Sequence, residues 1–391
     1  MRLLMAAAVL ASLAASPALA DCGPPISQQV LAPTPPPFAA HPFGAATSAD
    51  GCTFYVALAD SDKGTVMLLA RSGDSVTIAQ TLAVPGRLGM ARLTHDGAIL
   101  VVTTGNAVAF IDTAKLAAGG SGALLGTIGG LSSGIGLALS NDDSLIFIAN
   151  ETNATITVID FAKARASGYG PDDVIGAIPS DRAPVGLAVS SDGKLLYATA
   201  ESVAGAEPVD CPRNNGNPPN PKGSLEVFDI AKARSDPANA LLGKTFAGCS
   251  PVRVVLSPSG DRAYVTARTD NVVNVFDTAK IVSDPADAQI ASVPVGVAPV
   301  GIAITADGTR LAVADSDRFN PDKSAPGTLT FVDTSKVAKG QGAVIGSIPA
   351  GAFARELSYL SDGTLTVTNF RSKTLQLVPA TTPVAPSPAT N

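Results

Sequence analysis

Arg253, Arg355 and Glu356 are the residues of this chain whose types and placement most suggest chemistry. Four similar stretches carry Gly44, Gly136, Gly186 and Gly301 at one aligned position. A fifth carries Met90, and two carry Arg253 and Glu356, with Arg355 beside the last. Arginines next to a carboxylate could hold a carboxylate or oxyanion while the glutamate acts as general acid/base. The same three residues could instead form a salt bridge that merely seals an interior, because ion pairs also occur there for structural reasons.

A second group follows the hairpins of the same stretches. It comprises Asp60 with Asp62, Asn150 with Glu151, Glu201, Arg268, Asp315 with Asp317 and Arg318, and Asn369 with Arg371. From it Glu201, Arg268, Asp315, Arg318, Asn369 and Arg371 are taken as ligand-binding candidates, together with His41. The other histidine, His95, sits in an Asp-Gly turn and reads as a solvated turn residue. The acidic "DSD" (60–62) and "DSDRFNPD" (315–322) could offer oxygens to Ca²⁺, but they lack the ligand spacing of a calcium loop, so no metal is expected. Two Asn-x-Thr triplets, at Asn150 and Asn153, match the glycosylation acceptor and carry weight in a eukaryotic secretory context alone. No nucleophile elbow, Cys-x-x-Cys-His haem site or Cys/His zinc spacing occurs, and Trp is absent. No cofactor is expected.

The elements that must position these residues are repeats. Seven copies of one phrase run through the chain: "SADGCTFYVAL" (48–58), "THDGAILVVTT" (94–104), "SNDDSLIFIAN" (140–150), "SSDGKLLYATA" (190–200), "SPSGDRAYVTA" (257–267), "TADGTRLAVAD" (305–315) and "LSDGTLTVTNF" (360–370). Asp-Gly between apolar runs is a strong hairpin signal, because the turn needs positive φ that Gly accepts. A third strand ends in Asp112, Asp160, Asp229, Asp277 or Asp333. A Lys-bearing, short helical excursion follows, then a fourth strand such as "VIGAIPS" or "VIGSIPA". Four strands per repeat, seven times, predict propeller blades.

With "RAYVTA" (262–267) and "TFYVAL" (53–58) among its copies, the chain resembles the seven-bladed propellers of the YVTN-repeat and lactonase-like superfamily, over roughly residues 26 to 380. The resemblance implies an all-β fold: a seven-bladed β-propeller of four-stranded antiparallel blades. The last repeat lacks its fourth strand, and "ISQQVLA" (26–32) stands where it could close the ring. In such a fold the Gly positions and Asp-Gly turns are scaffold. Arg253, Arg355 and Glu356 then project near one mouth of the central channel, on the face that also receives the loops carrying the candidate binding residues. Two of those loops are long, 201–223 and 316–327, as binding loops or lids often are.

Residues 1–20 read as a signal peptide, with Arg2, an apolar run and Ala18-Leu19-Ala20 before Asp21. Residues 21–380 then form a single propeller domain, and 381–391 a Pro/Thr-rich tail. A periplasmic or secreted location is expected, without a membrane span. The formal net charge is −6 with no Lys/Arg run, which argues against nucleic acid as a partner. Four cysteines in an oxidising compartment suggest two disulfides, with three pairings open from sequence. The propeller alignment puts Cys211 and Cys249 on one face in neighbouring loops, which favours Cys211–Cys249 and with it Cys22–Cys52.

Two functions fit. One is a monomeric binding propeller that presents its loop-rich channel mouth to a protein or small ligand. The other, implied by the resemblance, is a lactonase-like hydrolase or lyase acting on a cyclic ester or sugar acid. The sequence does not decide whether the protein is an enzyme.

Overall fold

Each hairpin folds where its turn chemistry dictates. The computed structural model of the chain describes residues 22–60, 63–203, 211 and 221–384. The segment 1–20, Asp62, most of the 201–223 loop and the tail from 385 lie outside them. Gly51, Gly97, Gly193, Gly260, Gly308 and Gly363 all take positive φ in the turns, as that geometry requires. The third copy has Asp143 there instead, in the same left-handed region (φ 51°). Asp143 gains a partner by it: its carboxylate accepts from the backbone N–H of His95 at 2.7 Å and meets His95 Nδ1 at 2.7 Å. His95 is therefore a link between two neighbouring turns. In the second, third and fourth repeats the Asp that ends the third strand caps a short helix. Asp112, Asp160 and Asp229 accept from the backbone of Lys115, Lys163 and Lys232.

The strands assemble into five antiparallel sheets of four strands and one of seven among the described residues. The all-β, propeller-like architecture agrees with the sequence expectation. Seven separate sheets, however, are not what is seen. The fourth strand of the second repeat and the first of the third run on as one strand, Leu124–Leu139, which pairs with Gly105–Asp112 on one side and Leu145–Asn150 on the other. The intervening "GLSSGI" is irregular, with Gly130 and Ser133 at positive φ and residues 130–133 outside both ladders, and pairing resumes at Gly134 with Gly105 on one side and Asn150 on the other.

Sheets pack face to face, which explains why the second strands read as continuous apolar runs. Ile99–Thr103 and Leu145–Asn150 are buried at every position. Fourth strands such as Leu241–Gly248 lie outermost and expose Leu241, Leu242 and Phe246. Innermost strands are lashed together by threonines. Thr199 Oγ1 accepts from Gly186 N–H (3.0 Å) and donates to Val252 O (2.9 Å). Thr266 does the same between Arg253 N–H and Val300 O, and Thr368 between Glu356 N–H and Phe43 O. The last of these ties the final repeat to the first. Gly186 belongs at this join, since a Cβ there would stand 2.5 Å from Val252 O.

Val30–Ala32 pairs antiparallel with Thr374–Val378, completing a four-stranded sheet with Leu365–Asn369 and Ala354–Tyr359. The strand is shorter than the expected 26–32. Both expected disulfides are present, Cys22–Cys52 and Cys211–Cys249. Deleting residues 22–34 should expose the Thr374–Val378 edge and lower the melting temperature, with aggregation. Cys22→Ser alone should cost less. Equal losses in thermal melts would mean that the strand contributes nothing beyond its disulfide.

Candidate functional site

The arginines and acids of the innermost strands meet in a throat walled by apolar side chains. Just before the aligned glycine position stand Phe43, Ile135, Val185, Val252 and Val300, and all five line one cavity of about 270 Å³. The corresponding residue in the last repeat is Arg355, so one collar position carries a guanidinium instead of a hydrocarbon.

Arg253 and Glu356 form the base of this throat. Arg253 Nη2 lies 2.5 Å from Glu356 Oε1 and Nε 3.1 Å from Oε2, a bidentate pair with both side chains almost wholly buried. Arg253 also donates to Val185 O at 3.0 Å. Burial by itself would push the Glu356 carboxyl up. Arg253, then Arg355 and Arg92, outweigh it and hold the group below the usual carboxylate range. Glu356 thus stays ionised and is poorly suited to give up a proton.

Arg355 is held differently. Its guanidinium carbon sits 3.6 Å over the Phe43 ring, a cation–π contact. Glu356 is 3.8 Å away, and Arg355 Nε is buried without a hydrogen-bond partner among the described residues. Burial brings the Arg355 pKa down to about 9.

The rim is built by Arg87, Glu151, Glu201, Arg268 and Arg318. Arg268 Nη2 pairs with Glu201 at 2.8 Å, while its Nε is buried with no hydrogen-bond partner among the described residues. Arg318 lies 5.0 Å over the Phe353 ring and 5.6 Å over Phe319. Burial, reinforced by Arg268, pulls it down to about 10. Glu151 is pushed up, first by burial and then by Glu201.

Of the residues singled out in the sequence, Arg253, Arg268, Arg318, Arg355, Glu151 and Glu201 converge on this cavity, with Glu356 bound beneath. Four others are placed elsewhere. Asp315 is buried and accepts from Thr328 and Thr330. Asn369 is buried and bonded to Thr374 and Gln376. Arg371 donates to Arg318 O at 3.1 Å and lies over Phe353. His41 stacks on Phe370 at 4.7 Å and meets Phe370 O through Nδ1 at 2.8 Å. These contacts hold loops and strand ends together. Among the described residues no group of three or more His, Cys, Asp or Glu could hold a metal ion, and no helix is long and apolar enough to cross a membrane.

Arg87 escaped the sequence reading. A signal existed: the aligned residues in five other repeats are Ser133, Ala183, Ser250, Ala298 and Phe353, all uncharged and all at positive φ.

Many solved chains share this fold. One is a chain of hydrazine synthase from Kuenenia stuttgartiensis, similar with a TM-score of 0.68 over 88% of this chain and 96% of that chain, at 18% identity. At that identity the likeness speaks for the fold. No protein-family model and no curated protein matches the chain.

Proposed function

We propose that this chain is an exported seven-bladed β-propeller of the YVTN-repeat, lactonase-like kind, and that it binds a small ligand at its channel mouth. On this reading the seven-stranded sheet is two blades sharing the strand Leu124–Leu139, and Val30–Ala32 closes the ring. The observation that carries the function is the convergence of five arginines on one apolar-walled cavity, two of them with a buried Nε that has no hydrogen-bond partner among the described residues. A buried donor left without a partner costs about 1–3 kcal/mol, so an arrangement that keeps two of them points to a ligand that supplies acceptors.

The hydrolase alternative is favoured by one group, Glu151. It is raised rather than lowered and faces the same cavity, so it, and not Glu356, would serve as the acid/base.

The test is a thermal-shift screen of the mature protein with neutral sugars, γ-lactones, and mono- and dicarboxylates. Ile135, half-buried in the collar, is replaced by Trp to fill the throat. At least one probe class should raise the melting temperature saturably, and Ile135→Trp should abolish the shift while the variant itself melts near the parent. Saturable shifts that survive the plug would place the ligand elsewhere. Acid release from a lactone at constant pH, lost in Glu151→Gln, would replace binding by hydrolysis.

A further inference from the structure

We propose that the ligand of the channel mouth is a small organic dianion: two carboxylate-type groups on a short apolar body, one taken by Arg355 in the throat and the other by Arg318 and Arg87 at the rim. This rests on the mouth being a ligand site and says what it selects. Charge pairing inside the cavity carries the argument. Arg253 and Arg355 share the one carboxylate of Glu356, with the fork on Arg253, and Arg268 is paired with Glu201. With Arg87 and Arg318 facing Glu151, five arginines meet three carboxylates, a surplus of two positive charges around one cavity. A neutral ligand would leave that surplus buried, and a monoanion would meet half of it.

Arg355 is the deep anchor. It is 8% exposed, its Nε is buried with no hydrogen-bond partner among the described residues, and the nearest carboxylate already forks onto Arg253. An arriving carboxylate completes it. Arg318 is the second anchor, and its position is tied to the first through one ring. The two guanidinium carbons lie 5.5 and 5.0 Å from the centroid of Phe353, which puts both within reach of one short molecule. The apolar wall of the same cavity is Phe43, Ile135, Val185, Val252 and Val300. Inorganic phosphate or sulfate would face that hydrocarbon with charged oxygens, whereas a methylene chain fits it. The cavity, about 270 Å³, falls just below the range of drug-sized pockets (~300–1,000 Å³), so the body between the two groups is short.

Titration calorimetry of the mature protein decides it, using the dicarboxylates from malonate to adipate, the monocarboxylates of equal length, and glycerol phosphate. One dicarboxylate should bind about tenfold or more tightly than its monocarboxylate, the effect of one added charge-assisted contact. Arg355→Met should weaken that dicarboxylate by a similar factor, and Arg318→Met should bring the di-to-mono ratio close to one. Arg355→Lys keeps the charge and guards against a folding defect, and each variant is melted without ligand. A neutral probe, a monocarboxylate or glycerol phosphate that binds as tightly as the best dicarboxylate, and is still blocked by Ile135→Trp, overturns the dianion but leaves the mouth as a site. If no probe binds in a way the plug removes, both readings fall.

Discussion

Replacing Glu356 by Gln is expected to cost about 3–5 kcal/mol of unfolding free energy, the typical result of orphaning one half of a buried ion pair. Its carboxylate answers a fork from Arg253 at 2.5 and 3.1 Å and a third guanidinium nitrogen, from Arg355, at 3.8 Å. Without it these arginines and Arg92 repel one another in a closed throat. The converse change, Arg253→Met, should cost less, because Glu356 keeps Arg355 and the field of Arg92. The double variant should recover part of the loss, since it removes both charges. Equilibrium denaturation of the three variants reads this directly. A Glu356→Gln penalty below about 1 kcal/mol, in the range of exposed pairs, would mean that the pair does not hold the throat together. The pH dependence carries the same sign. Glu356 is held low, so its contribution is present above the ordinary carboxylate range and is lost as the pH falls through and below it.

That asymmetry was half legible in the sequence. Arg253 and Glu356 announce themselves because each replaces a glycine in an otherwise regular phrase, and repeats make such departures visible. The phrase itself is readable because its chemistry is local. The Asp-Gly turn, the capping Asp and the buried second strand each follow from a few neighbouring residues. What the sequence hides is anything settled between repeats. Phe43, which receives the Arg355 guanidinium, comes from the opposite end of the chain. The "GLSSGI" segment has the composition of a loop and bulges out of both ladders, yet Gly134 pairs with Gly105 and with Asn150, so two sheets join through it. Asn369 and Asp315 looked like rim residues because they end strands on the loop-bearing face. Whether such a residue turns outward or back into its own sheet depends on the Thr or Gln across from it, which periodicity does not reveal.

Asp315 provides the second large effect, and here the protein contains its own control. In three repeats the second strand ends on a buried polar residue that bonds the start of the third. Asn150 Nδ2 donates to Thr155 at 3.2 Å and Thr157 at 2.8 Å, and Asn369 Nδ2 to Thr374 and Gln376 at 3.1 Å each. In the sixth repeat Asp315 accepts instead, from Thr328 at 3.0 Å and Thr330 at 2.6 Å. A carboxylate needs a counter-charge at that depth and the two hydroxyls offer none. Burial therefore pushes the Asp315 pKa up to about 7 against the pull of the threonines. Below the ordinary carboxylate range the group is protonated folded or unfolded and carries no penalty. As the pH rises from about 4 to about 7, the unfolded chain ionises while the native state keeps its proton, so stability falls; above about 7 the loss is constant. Asp315→Asn installs the solution already used twice, and the threonine hydroxyls can rotate to accept. The variant is expected to gain about 2–4 kcal/mol at pH 8 and little at pH 4, because each tenfold change in proton affinity is worth about 1.4 kcal/mol. Unfolding curves at the two pH values measure the difference. A gain of equal size at both, or none at pH 8, would show that Asp315 ionises freely and that its burial carries no electrostatic cost.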